Sequence, residues 1–123
     1  MGNSADFATL PPRRKRFYHA RFWRWFRHPL QVMALRYYKG EPQLRQVELL
    51  DGRSCTLRVG TSDRAIVWEV FLKDHYRTEC IPNHLECVVD VGAQIGAFSM
   101  KMAPRAKRLL AFEPAPENFK LLQ

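Results

Sequence analysis

A chain of 123 residues, 46% of them hydrophobic, can bury one modest core, and no apolar run approaches the roughly 20 residues of a membrane-spanning helix. Three cysteines (Cys55, Cys80 and Cys87) are an odd number at irregular spacing, with no secretory leader, which excludes a disulfide framework and predicts reduced thiols in a cytoplasmic setting. The net charge of +8 is concentrated in Arg13, Arg14, Lys15, Arg16, Arg21, Arg24 and Arg27, a segment without acidic residues, so the basicity belongs to an arm and not to the whole surface.

Residues 1–12 are small and polar, close on Pro11-Pro12 and predict a disordered tail. The opening Met-Gly-Asn-Ser-Ala-Asp lacks the Ser or Thr that N-myristoylation favours at its last position. Residues 13–28 predict a basic aromatic helix with Tyr18, Phe22, Trp25 and Phe26 on one face and Arg21, Arg24 and Arg27 in a neighbouring row. Such a helix suits three uses: packing its rings on the rest of the protein, peripheral contact with an anionic membrane, and gripping nucleic acid phosphates, the least favoured. His28-Pro29 breaks the arm. Leu30 to Tyr38 then predicts a second short helix ended by Gly40-Glu41-Pro42.

Leu44 to Val59 predicts a β-hairpin, because Val47 and Leu49, then Cys55, Leu57 and Val59, alternate with polar neighbours around Asp51-Gly52. This hairpin is expected to be a structural cover. Thr61-Ser62-Asp63 offers capping residues for a helix whose apolar positions include Ile66, Val67, Val70 and Phe71, with Asp74 in the same row, ending near Tyr76. Trp68, Glu69 and Tyr76 are expected to pack. His75, Cys80, His84 and Cys87 fall close together, but their spacing matches no zinc motif, and no metal site is predicted.

Residues 88 to 96, Val-Val-Asp-Val-Gly-Ala-Gln-Ile-Gly, are the most informative in the chain. Val88, Val89 and Val91 suit a fully buried parallel strand, and Gly92 and Gly96 remove Cβ atoms where the backbone turns toward a ligand. Ala97 to Met102 predicts a short helix, and Arg108 to Phe112 a second buried strand that delivers Glu113 at its end. An acidic residue about 20 positions beyond the first glycine is placed to bind a ribose diol. The turn has neither the G-x-G-x-x-G of dinucleotide folds nor the Lys-Ser or Lys-Thr of a triphosphate loop. Asp90, just before it, favours a ligand with a cationic part. S-adenosylmethionine meets those demands better than NAD or ATP. Arg105, Lys107 and Arg108 are expected to form a solvated cluster, and Met100 and Met102 to fill the core.

The stretch from Val88 to Ser99 resembles the opening of an FkbM-type methyltransferase domain, a branch of the class I S-adenosylmethionine-dependent enzymes. Ala111-Phe112-Glu113-Pro114-Ala115-Pro116-Glu117-Asn118-Phe119 resembles that family's next signature. The likeness is specific over residues 88–122 and looser over 64–80. The family usually has Asn where this chain has Gln94, and Asn or Asp near Ala115. The resemblance implies an α/β fold with an incomplete Rossmann-like sheet, preceded by the arm and hairpin. It places Asp90 by the methionine end of the cofactor, has Gly92, Ala93, Gln94 and Gly96 line it, and gives Glu113 the ribose hydroxyls. It further implies O-methylation of a hydroxyl on a sugar or other small-molecule acceptor.

Three units follow from the sequence: 1–42, tail and arm; 43–83, hairpin and amphipathic helix; and 84–123, the start of a methyltransferase domain. A helix begun at Pro116 meets the chain end at Gln123, which reads as an N-terminal piece of a longer protein or a truncated reading frame and predicts an isolated piece that is marginally stable or misfolded. The rival reading is a non-catalytic remnant or binding module that uses the arm. No catalytic residue is assigned.

Overall fold

The computed structural model of the chain describes residues 18–122. The predicted tail and the first basic residues of the arm, 13–17, lie outside the described residues. The fold is mixed α/β, with one antiparallel and one parallel pair of strands.

Helix α1 (Tyr18–Trp25) turns Phe22 into the core, and Phe26 follows it there; each is only 1% exposed. Helix α2 (Pro29–Ala34) starts on its proline, whose missing N–H is no loss in a first turn, and runs into a single tight turn, Leu35–Tyr37. Strands β1 (Gln43–Glu48) and β2 (Ser54–Val59) pair with Gln43 opposite Val59 and Glu48 opposite Ser54. The sequence places Asp51-Gly52 between two strands, and the connection is a longer loop over residues 49–53, with Gly52 at φ +87°. The arm extends this hairpin: Phe26 bridges Leu49, the Arg27 N–H donates to the Glu48 carbonyl and the Leu50 N–H to that of Trp25. Because side chains alternate along a strand, Cys55, Leu57 and Val59 face inward together.

Helix α3 (Asp63–Val67) continues into a π-helical turn over Trp68–Leu72. A regular amphipathic helix presents one stripe, whereas here Val70, Phe71 and Leu72 are all buried in succession. The wider turn makes this workable: Phe71 meets the rings of Trp25 and Phe26 from the arm, while other residues of the turn face α4 (Ala97–Met102). Phe22 stacks edge-on against Trp68, and Tyr76 against Phe98 in a tilted pair, so of Trp68, Glu69 and Tyr76 the two aromatics make ring contacts, Tyr76 while 60% exposed.

Strands β3 (Leu85–Val91) and β4 (Ala106–Phe112) run parallel, Leu85 opposite Ala106 and Val91 opposite Phe112, with α4 between them in sequence. Among the described residues only one face is covered. Val88 and Asp90 point into it, whereas Val89 is 54% and Val91 81% exposed, with Leu110 and Phe112 beside them. The expectation that Val88, Val89 and Val91 are all buried therefore holds for Val88 alone, because one layer cannot cover both faces of a sheet. Helix α5 (Pro116–Leu122) closes the described chain.

Candidate functional site

The glycine turn leaves β3 and folds back at once onto the end of β4. The N–H groups of Gly92 and Ala93 both donate to the Phe112 carbonyl, at 2.8 and 3.0 Å. The Gly96 N–H donates to the Ala93 carbonyl at 2.8 Å. Three amides of the turn are thus taken by the chain itself. Gly92 has φ +79° and a Cβ there would meet nothing, so its bare face is open to solvent. Gly96 has φ +81°, and a Cβ there would lie 2.6 Å from Leu122 Cδ2. In this structure Gly96 admits α5 against the turn.

Glu113 stands where β4 ends, beside that turn. Its Oε2 accepts from the Gln94 N–H at 2.7 Å, and its Oε1 from the Ala115 N–H at 2.9 Å and from Asn118 Nδ2 at 3.4 Å. The Ala115 and Gln94 amides, helped by Asn118, hold the Glu113 carboxyl below the usual range. Gln94 carries φ +52°, a left-handed conformation in which Asn is more at ease than Gln. Asp90 lies on the covered face, 9% exposed, and its Oδ2 accepts from Ser99 Oγ of α4 at 2.6 Å. Gly92, Ala93, Gln94 and Glu113 therefore come together at the strand ends, with Asp90 one layer below and Gly96 against α5.

The hairpin does more than cover this site. Arg53 donates to the Met100 carbonyl of α4, and the Cys55 thiol lies 3.4 Å from the Ile95 carbonyl of the turn. Burial pushes that thiol up to about 12, with the Asp63 carboxylate adding to the shift, so Cys55 is no nucleophile. Arg58 pairs with Asp63 through Nε at 2.7 Å and reaches Asn118 Oδ1 at 2.6 Å.

A second polar centre went unread in the sequence. Lys101 Nζ, with its side chain 3% exposed, donates to Asp74 Oδ1 at 2.9 Å and to the Val70 carbonyl at 2.6 Å. The same ammonium lies over the Trp25 and Phe71 rings. Asp74 also accepts from the Thr78 N–H and hydroxyl and from the Glu79 N–H. The available signal was Asp74 itself: a carboxylate in register with an apolar stripe demands a buried partner. Arg105, expected in solvent, instead donates to the Thr78 and Ile81 carbonyls and ties down the same loop, while Lys107 pairs with Glu86 at the surface.

Phe22, Trp25 and Phe26 of the arm are turned toward the core, with Trp23 exposed beside Arg24 and Arg27. Arg21 donates to the Leu72 carbonyl and pairs with Glu79 at 3.1 Å. Among the described residues no helix is long and apolar enough to cross a membrane, and no group of three or more His, Cys, Asp or Glu is placed to hold a metal ion. No family model, no curated protein and no solved structure matches the chain.

Proposed function

We propose that the unit β3, glycine turn, α4 and β4 is the cofactor half of an S-adenosylmethionine-dependent methyltransferase acting on a hydroxyl of a sugar or other small molecule. The observation that carries this reading is the Glu113 carboxylate at the end of the second parallel strand, tied at 2.7 Å to the Gln94 amide of the turn. Ligands of open parallel sheets bind outside the carboxyl ends of the strands, and a carboxylate there suits a ribose diol.

The residues fit the cofactor's chemistry. A sulfonium nucleoside has no phosphate, and the turn keeps the Gly92 and Ala93 amides for its own Phe112 carbonyl. Glu113 Oε2 accepts one bond from Gln94, which leaves it capacity for a hydroxyl donor. The open face of Gly92 lets a ligand approach the backbone. When bound, the cofactor supplies an electrophilic methyl group, and transfer needs chiefly an acceptor oxygen held in line with it. On this chain Glu113 orients the ribose, Gly92 admits the ligand, and Asp90, pinned by Ser99, sets a negative charge beneath the turn.

The free thiols of Cys55, Cys80 and Cys87 support a cytoplasmic setting. Contact of the arm with an anionic membrane, as a peripheral addition, is supported by Trp23, Arg24 and Arg27 at the surface.

Glu113→Ala is expected to weaken S-adenosylmethionine binding roughly ten- to hundredfold in calorimetric titration, the scale of a lost charged hydrogen bond. Equal affinity in Glu113→Ala and the unaltered chain would remove the ribose assignment.

A further inference from the structure

We infer that Asn118 is a positioning residue for the Glu113 carboxylate, and that Arg58 of the hairpin fixes it in that role. The inference rests on the ribose reading of Glu113 and adds the residues that aim it.

The hydrogen-bonding chemistry leaves one arrangement. A guanidinium has donors only, so the Asn118 group that faces Arg58 Nη2 at 2.6 Å has to be its carbonyl oxygen. That choice turns the amide NH2 toward Glu113 Oε1, 3.4 Å away, where it meets a carboxylate with only acceptors. Arg58 is itself held rigidly. Its Nε and backbone N–H donate to Asp63 Oδ2 at 2.7 and 2.9 Å, and Nη2 reaches Asp63 Oδ1 at 3.0 Å. Asp63 is 3% exposed and is placed by Thr61, whose hydroxyl accepts the Asp63 N–H.

A continuous line therefore runs from α3 through β2 and α5 to the turn: Asp63, Arg58, Asn118, Glu113, Gln94. Its consequence is local to the carboxylate. Oε1 takes the Ala115 and Asn118 donors while Oε2 takes the Gln94 N–H, and these three bonds together hold the carboxylate in one orientation with Oε2 facing the turn. A carboxylate fixed in this way binds a diol without first losing rotamer freedom. The hairpin layer, which lies outside the parallel sheet, is thereby wired to the ribose contact.

Asn118→Asp separates this role from simple packing. A carboxylate at this position keeps an acceptor for Arg58, so the tie between α5 and β2 survives. It removes the donor to Glu113 and sets a like charge against it, within a field made by Arg58, Asp63 and Glu117. The Glu113 carboxyl, followed by carbon-13 NMR without any cofactor, is expected to titrate at higher pH in Asn118→Asp than in the unaltered chain, with the thermal midpoint held. Asn118→Ala, which deletes the donor without adding charge, is expected to move the titration the same way. Affinity for S-adenosylmethionine is expected to fall on the order of tenfold in Asn118→Asp, the scale of one charged hydrogen bond. A Glu113 midpoint unmoved in Asn118→Ala would overturn the positioning role, because the new charge in Asn118→Asp moves it with or without that role. If the midpoint moves but the unaltered chain takes up no S-adenosylmethionine, the positioning stands and the ribose reading falls.

Discussion

Asp74→Ala is expected to lose about 3–5 kcal/mol of folding stability, read by urea denaturation, because it strands a buried cation. Lys101 lies beneath the arm with its ammonium against the Trp25 and Phe71 rings, and without Asp74 the Val70 carbonyl is the remaining acceptor drawn to it. Burial already pushes the Lys101 amine below its ordinary value, against the pull of Asp74, so removing Asp74 is expected to push it lower still. Asp74 also holds φ +48°, a conformation that alanine adopts only with strain. The comparison is the double replacement Asp74→Leu with Lys101→Met, which removes both charges and is expected to recover much of the loss. Equal destabilisation in the single and double variants would show that the ion pair is not the reason.

The same pair contributes to the acid sensitivity of the unaltered protein. Burial works to raise the Asp74 carboxyl, but donation from Thr78, Lys101 and the Glu79 amide outweighs it and holds the group at about 2, against 3.8 unfolded. A carboxyl lowered by folding stabilises the native state at pH values above its unfolded value. That contribution, about 2 kcal/mol, is expected to fade as the pH drops from near 4 toward 2. Asp74→Ala is expected to flatten this part of the stability profile.

Phe71→Ala is the second large effect, expected at about 3–5 kcal/mol by the same measurement. Phe71 is fully buried, with its ring centre 5.5 Å from Trp25 and 5.2 Å from Phe26. It joins α1 to the π-turn, so the cavity opens where the arm meets the rest of the fold. Trypsin is then expected to cut at Arg24 faster than in the unaltered chain. Trp23→Ala, on the exposed side of the same helix, is expected to stay within about 0.5 kcal/mol. A larger loss for Trp23→Ala than for Phe71→Ala would place the arm's contact on the wrong face.

Local signals predicted the elements well because they are carried by single residues. Pro29 ends the arm and Pro116 opens a helix, alternation from Val47 to Val59 makes the hairpin, and Val88 to Gly92 gives the strand and its turn. Burial was less legible, since it depends on which layers meet. Val89 and Val91 have the composition of a buried strand and stand exposed, because nothing among the described residues covers that face. Lys101 drew no reading in the sequence and is buried, because the arm, the π-turn and the loop from Asp74 converge on it from distant parts of the chain. The same holds at the site. Glu113 could be found by its distance from Gly92, whereas Arg58 and Asn118 are 60 positions apart and only the packing of α5 on β2 joins them.

The most direct measurement is amide NMR of the unaltered chain as S-adenosylmethionine is added. Saturable shifts are expected at Val91, Gly92, Ala93, Gln94 and Glu113, where the two parallel strands end. Shifts absent from these amides at millimolar cofactor, or confined to the hairpin and arm, would contradict the proposed site.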